Sequence, residues 1–596
     1  MENSWHCPSH YVKMESMKKK IIPIVVVIVL VVLIALGMVA WRYYQEHFVP
    51  TKERAELTEY FQVTDEKGII IIEDDKVRDG EAFMQGGKIY LSYSLVHDLN
   101  DRFYLDENEG LLLYCTDQSL ISFDIHDCED HYYVDHQPVA TEYPVLLEED
   151  GELSLALEFA DPYLTQDIRY YEDPSRLVIT TDFEPVTVQE AVRDTAIRIR
   201  GGIKSEILRD LPAGEVVKLL EEGEDWNKVS DNTGFTGYVE KKSLSEARTE
   251  SLVSPKPEET YTHLLLDKKV CLLWDQVTNM DSNSKINGLL DRIAGVNVMS
   301  PTWYSLSDSE GGITDLGSQA YVDACHERGI QVWPLISNLE HPEADDNQVL
   351  SHTSLRRKVE DTVVQKVKEL GADGINLDFE SIEPEFGEDY VQFIRELSLK
   401  CAENNLILSV DTYVPMDYSK YYNRKEQGNF ADYVVIMAYD EHYEGSDEGS
   451  VASLPYAENG VKNTIEEGVD PSQIVLGMPF YTRLWIETPK TEAPSEMEQA
   501  SETYIPYNLT SQTLGMALQN QTVAAHNAVV SWIEELGQNF AVYIEDGITY
   551  KIWMEDKDSL EKKLEVVTEN QIGGGAFWKS EFEIPEVWGL IAEKLG

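Results

Sequence analysis

The sequence predicts an α/β chain whose C-terminal half is a (β/α)8 barrel. A small insertion separates strands seven and eight, and a small all-β barrel and an α+β repeat module precede it. Three observations carry this reading. Eight short apolar runs, at 270–273, 296–299, 331–336, 374–379, 406–410, 433–438, 474–478 and 574–578, have the unbroken hydrophobicity of strands buried on both faces. Helical spacing of apolar residues fills several of the intervals, as at 355–370 and 390–403. Eight strands alternating with helices close into a barrel. The stretch at about 485–570 delays the eighth strand and carries strand-like runs of its own at 540–544 and 550–554, so it reads as the insertion.

Upstream, residues 82–117 and 144–182 repeat one pattern. Gly87-Lys88-Ile89-Tyr90-Leu91, Phe103-Tyr104-Leu105 and Leu111 to Asp117 in the first copy match Gly151-Glu152-Leu153-Ser154-Leu155, Ile168-Arg169-Tyr170 and Leu177 to Asp182 in the second. Each reads as short strands with one helical connection, and together they define a module over 58–185. Residues 190–246 hold short β runs with glycine turns, including Leu211-Pro212-Ala213-Gly214, Trp226 to Val229 and Gly234 to Val239, as a small barrel does. Ser254-Pro255-Lys256-Pro257 marks 247–263 as a linker, leaving 264–596 for the large barrel.

Residues 21–41 contain no charge and are long enough to cross about 30 Å of hydrocarbon. Lys18, Lys19 and Lys20 precede them, and Trp41, Tyr43 and Tyr44 follow as an interfacial belt would. The expectation is a single-pass anchor at 21–41, a cytoplasmic tail at 1–20, and everything after it on the cell-wall side of the membrane. A cleaved signal peptide, cut near Ala35-Leu36-Gly37, is the alternative.

The length of 596 residues allows about four domains at roughly 150 residues each. With 49 Lys+Arg against 108 Asp+Glu, the net charge is 49 − 108 = −59, which phosphate backbones would repel; nucleic-acid binding is excluded as a main activity. Six cysteines are too few for a disulfide scaffold. Cys115 and Cys128 stand near enough in one module to pair, whereas Cys271, Cys325 and Cys401 read as single apolar thiols. No zinc spacing occurs, and neither metal nor cofactor is expected.

Chemistry concentrates on the fourth barrel strand, Asp373-Gly374-Ile375-Asn376-Leu377-Asp378-Phe379-Glu380. Strand side chains alternate, so Asn376, Asp378 and Glu380 share one face and Ile375, Leu377 and Phe379 the other. The polar face points into the barrel, with Glu380 nearest the C-terminal end where barrel sites lie. No Lys or Arg on this strand neutralises it. Clustered carboxylates raise each other's pKa, as a general acid near neutral pH requires.

The run DGINLDFE resembles the D-G-x-[DN]-x-D-x-E signature of family 18 glycoside hydrolases. Met437-Ala438-Tyr439-Asp440 is similar to that family's M-x-Y-D, Pro479-Phe480-Tyr481-Thr482-Arg483 to its substrate-contacting stretch, and Trp578 to its strand-eight tryptophan. The order of these motifs spans 264–596, a TIM barrel in that family. The run from Met437 to Trp485 resembles the subgroup attached to the walls of Gram-positive, often spore-forming bacteria. Residues 190–246 resemble a bacterial SH3-type domain, with Gly237-Tyr238-Val239 where Gly-Trp-Val is usual. Residues 58–185 resemble the stalk module at the N-terminus of copper amine oxidases.

The resemblance implies that Glu380 protonates the glycosidic oxygen, Asp378 holds the substrate's 2-acetamido group, and Tyr439 hydrogen-bonds the acetamido oxygen as it attacks the anomeric carbon. Asp373 and Asn376 would tune Asp378; Asp440, Arg483, Tyr481, Trp578 and Trp303 would bind the sugar. Family 18 is an exception to the two-carboxylate scheme, because the substrate's acetamide is the nucleophile and configuration is retained. The implied partner is a polysaccharide containing N-acetylglucosamine. Asn376 replaces an Asp of many chitinases, which shifts the expectation from chitin toward peptidoglycan. Trp274, Trp333, Trp485 and Trp553 are further candidates for stacking, with Trp274 and Trp333 placed in core or rim; Asp411 and Tyr413 are candidates to line the groove. His442, just past Met437 to Asp440, is a candidate to contact substrate, with a structural hydrogen-bonder as the commoner role of a lone histidine. The competing reading is a lectin-like wall protein that kept the barrel and lost catalysis.

Overall fold

The computed structural model describes residues 11–62, 68–78, 80–128, 130–149, 151–257, 259–490 and 506–596. A helix over Tyr11–Phe48 opens the chain, and its Ile22–Phe48 part is long and apolar enough to cross a membrane by length and composition. The chain divides into two compact units, Met1–Leu99 with Glu152–Glu258, and Asn100–Gly151 with Glu259–Gly596.

In the first unit, the opening strands of the two repeat copies pair with each other: Lys88–Ser92 runs antiparallel to Glu152–Ala156, with Tyr90 opposite Ala156 and Ser92 opposite Ser154. Each is followed by a short helix, Tyr93–Leu99 or Leu157–Ala160, as the repeat predicts. The second copy's hairpin, Asp167–Tyr171 and Arg176–Thr180, pairs with Ile70–Glu73. Seven antiparallel strands between Val186 and Glu250 form the small all-β domain. Gly234 (φ +88°) packs there against Ile72 and Val178, where a Cβ would meet Ile72 Cδ1 at 2.5 Å.

The first copy's hairpin goes elsewhere, so the span expected as one stalk is divided between the units. Tyr104–Asp106 and Leu111–Cys115 begin a five-stranded antiparallel sheet with Leu120–Asp124, His131–Val134 and Gln137–Ala140. This sheet is keyed to the outside of the large barrel by buried polar contacts. Asp106 Oδ2 accepts from Thr353 N (2.7 Å) and Thr353 Oγ1 (2.6 Å), satisfying a free N–H at the start of the helix Thr353–Leu370. Arg102 makes a bidentate pair with Glu426 (2.8 and 2.7 Å), which Arg395 also grips at 2.8 Å. Cys115 and Cys128 are not bridged to each other. Cys115 packs in the barrel's outer core and accepts from Gln392 Nε2, whereas Cys128 donates toward backbone carbonyls of Ile125 and Leu146.

The large barrel closes with eight parallel strands: Val270–Asp275, Val298–Leu306, a third split into Gln331–Val332 and Leu335–Ser337, Gly374–Asp378, Ile407–Tyr413, Tyr433–Met437, Ile474–Pro479 and Gly574–Trp578. Pairing of the first strand with both the second and the eighth completes the ring. The third strand breaks at Trp333-Pro334, where proline has no N–H for the ladder. Two cores result. Val270, Leu272, Trp274, Trp333, Leu335, Val435 and Ala576 fill the interior, while Ile375, Leu377, Phe393 and their neighbours pack strands against helices. The insertion between strands seven and eight is a five-stranded antiparallel sheet that runs from Tyr481–Pro489 to Ile548–Trp553.

Candidate active site

Period-two alternation on strand four does what the sequence predicts. Asn376 and Asp378 are buried on the lumen side, and Ile375 and Leu377 enter the outer core. Glu380 lies just past the strand, and its backbone is clamped from the end of strand three: Asn338 Nδ2 donates to Glu380 O (2.8 Å), and Glu380 N donates to Asn338 Oδ1 (2.9 Å). The next residue, Ser381, takes φ +57°. That turn lets Ser381 N donate to Tyr413 Oη (3.2 Å) while Tyr413 Oη donates to Glu380 Oε2 (2.9 Å). Two neighbours thus fix the acid in place: Asn338 through its backbone, Tyr413 through its carboxylate.

Burial, with Asp440 and Glu340 nearby, pushes the Glu380 carboxyl above its ordinary pKa, and the Tyr413 hydroxyl partly offsets the rise by stabilising the anion. Asp378 is raised further, by burial first and then by Asp411, Glu380 and Glu340. Its Oδ1 finds no hydrogen-bond partner among the described residues. An acid poised to hold a proton beside a second carboxyl with a free oxygen can donate to a leaving group and orient a polar substituent.

Aromatic rings surround these acids. Trp274 meets Trp578 at 5.9 Å (62°) and Tyr439 edge-on at 6.4 Å (85°), and Tyr439 meets Tyr481 at 6.3 Å. Tyr481 Oη donates to Asp440 Oδ1 (2.7 Å), which holds the exposed Asp440 at φ +54°. Arg483, two residues on along the same strand face as Tyr481, donates to Ser511 Oγ (3.0 Å), and its buried Nε finds no partner among the described residues. Glu380, Asp378, Asn376, Tyr439, Asp440, Tyr481 and Trp578 therefore gather at the C-terminal end of the barrel or in the lumen beneath it.

Two expected residues are placed elsewhere. Asp373 has the parity of Ile375 and Leu377 and stands at the opposite end of strand four. Its Oδ2 is held by His326 Nε2 (2.8 Å) and Val332 N (2.8 Å), so it does not back Asp378. Trp303 is 1% exposed in the layer between strands and helices, edge-on to Tyr321 at 5.2 Å, with Nε1 donating to Asn283 Oδ1 (2.9 Å). Its odd parity on strand two turns it away from the lumen that Ser300 enters. Trp485 is likewise buried, donating to Gly449 O (2.8 Å), and His442 bonds within its own loop to Asp447 O (3.0 Å).

Trp274 lies in the interior core, within the core-or-rim expectation, whereas the sequence does not single out Asn338. Strand parity carries the signal for Trp274, which follows Val270 and Leu272 into the lumen. Nothing local marks Asn338, whose partner is 42 positions away.

Residues 318–583 match the family described as Glycosyl hydrolases family 18, and residues 194–245 match the Bacterial SH3 domain. A cortical fragment-lytic enzyme of Bacillus anthracis is 25% identical over 254 residues, covering 41% of this chain and 55% of the relative. One from Bacillus subtilis (strain 168) is 23% identical over 270 residues, covering 44% and 59%. The chain thus spans little more than half the length of the curated relatives it matches. The crystal structure of a chitinase from Chromobacterium violaceum ATCC 12472 is 19% identical, covers 55% of this chain and 98% of that one, and superposes with a TM-score of 0.47. Strand order, acid column and family match agree: the large barrel carries a glycosyl hydrolases family 18 domain, similar to cortical fragment-lytic enzymes, and the small all-β barrel ahead of it is a bacterial SH3 domain.

Proposed function

We propose that this protein is a membrane-anchored, extracytoplasmic glycoside hydrolase that cleaves β-1,4 bonds after N-acetylglucosamine in peptidoglycan or chitin-like glycans. The observation that carries the reading is the pair of raised acids, Glu380 bonded by Tyr413 and Asp378 with a free buried oxygen, inside an aromatic-walled lumen. Glu380 keeps its proton to higher pH than an exposed glutamate and delivers it to the glycosidic oxygen. Asp378 and Tyr439 hold the 2-acetamido group as its oxygen attacks the anomeric carbon. Water then opens the ring intermediate with Glu380 as base, and configuration is retained. Trp578, backed by the buried Trp274, and Tyr481 offer ring surface to a sugar, and Asp440 offers a carboxylate.

The Ile22–Phe48 helix and the three lysines before it support an anchor with its N-terminus inside. The test incubates the chain from Arg42 onward, and its Glu380→Gln variant, with purified peptidoglycan and separately with N-acetylglucosamine oligomers. Fragments ending in reducing N-acetylglucosamine, absent with the variant, are expected. Binding of either glycan without release would establish the lectin-like reading instead. For the anchor, full-length protein is expected in the membrane fraction and the chain from Arg42 in the soluble one; equal retention of both would refute it.

A further inference from the structure

Asn376 occupies the position where a second carboxylate would complete the strand-four column, and every hydrogen-bonding position of its amide is used. Oδ1 accepts from Trp274 Nε1 (2.8 Å) and Ser300 Oγ (2.9 Å); Nδ2 donates to Ser409 Oγ (3.0 Å) and Asp411 Oδ1 (2.7 Å). An indole N–H only donates. Trp274 therefore decides which end of the amide is the carbonyl and leaves an N–H aimed at strand five. Asp411 Oδ1 is the acceptor of that N–H.

Asp411 is 2% exposed, deep on the lumen face of strand five that Ser409 and Tyr413 share. The titratable groups bearing on Asp411 and Asp378 are Glu380 beside them, Glu340 from the loop after strand three, Tyr439 after strand six and Tyr390 from the helix Gly387–Glu403. All are acids or phenols. Burial raises both aspartates, and neither is relieved by a cation. Like charges in one low-dielectric pocket oppose each other's ionisation, so such a pair takes up protons jointly. The N–H of Asn376 favours the anion at Asp411, whereas Asp378 Oδ1 has no such donor among the described residues.

We propose, on the glycosidase reading above, that Asp411 is a positioning residue for the reaction: its buried negative charge, set behind Asn376, holds protons on the Asp378–Glu380 pair to higher pH than that pair would keep alone. Strand five thus supplies the charge that an amide on strand four cannot.

Asp411→Asn keeps shape and an acceptor for Asn376 but removes the charge. In full-length protein in detergent, the alkaline limb of kcat/KM is expected to fall by about one pH unit, with KM unchanged. The double variant Asn376→Asp/Asp411→Asn returns the carboxylate to strand four and is expected to bring the limb back to within about 0.3 unit. Asn376→Asp alone adds a charge and is expected to move the limb upward. Infrared pH titration of the buried carboxyl C=O band reads the same proton without turnover. It is expected to shift with Asp411→Asn and return in the double variant. An unmoved limb and band in Asp411→Asn, or a double variant that behaves like the single one, would overturn the proposal. Absence of glycan turnover in the parent chain would count against the glycosidase reading alone, and the infrared titration would still decide the role of Asp411.

Discussion

Two buried clusters of carboxylates lie within one compact unit and answer burial in opposite ways. Outside the barrel, Glu426 sits between Arg102 and Arg395, and although burial alone would raise its pKa, the two guanidiniums pull it down to about 2. Inside, Asp378, Asp411 and Glu380 share a lumen with no cation among the groups that act on them, and all three are raised. The first arrangement fixes a permanent charge and uses it to hold a sheet on a barrel. The second leaves its acids holding protons to higher pH than exposed carboxylates do. Burial alone does not distinguish a structural acid from a chemical one; the presence of a fixed counter-charge does.

The largest expected effect comes from the cation-free cluster. Glu380→Gln keeps the clamp from Asn338, which uses only backbone atoms of residue 380, but removes the titrating proton. Turnover is expected to fall about a thousandfold or more while the melting temperature stays within a few degrees. Near-normal turnover would erase the functional half of the contrast. The matched change in the other cluster, Glu426→Gln, leaves Arg102 and Arg395 under-compensated. A loss of about 3 kcal/mol of unfolding free energy in urea is expected, with kcat/KM unchanged. The same pair has a pH signature. A carboxyl depressed from 4.5 to about 2 on folding adds stability that is complete above pH 4.5 and is lost as pH falls toward 2. A melting temperature flat between pH 4.5 and 2.5 would contradict it.

Tyr413→Phe sharpens the comparison within the lumen. Its hydroxyl stabilises the Glu380 anion and is the lowering influence on that carboxyl among the described residues. Without it the proton is held more tightly, so the alkaline limb of kcat/KM is expected to move up by about half a unit, opposite in sign to the shift from Asp411→Asn. A downward or absent shift would mean that the bond does not form in solution.

How far these features were legible in the sequence follows from the range of the interactions. The polar column of strand four was legible because period two is local: knowing which face Ile375 takes settles Asn376 and Asp378. The eight strands were legible because each is a continuous apolar run, and the break at Trp333-Pro334 only splits one of them. The docking of the 100–151 sheet was not, since its decisive contacts, Arg102 with Glu426 and Asp106 with Thr353, join residues 324 and 247 positions apart. The division of the repeat has the same origin, because two copies of one pattern carry no information about which hairpin finds which partner sheet. Asp373 shows the cost of reading a motif as a unit: it begins the signature, yet its odd parity and its place at the far end of the strand give it to His326.

Trp303 makes the smallest and most discriminating test of that last point. Order along the chain places it after strand two at the working end of the barrel, whereas parity places it in the outer core, and the two placements predict different measurements. Trp303→Phe keeps the ring against Tyr321 but leaves Asn283 Oδ1 without the indole N–H that now reaches it. The expected result is a loss of about 1–2 kcal/mol of stability with KM for N-acetylglucosamine oligomers unchanged. A sugar-stacking tryptophan would give the reverse, a raised KM at nearly constant stability. Because the substitution removes one buried hydrogen bond and little else, the ratio of those two effects reports which face of strand two the residue occupies.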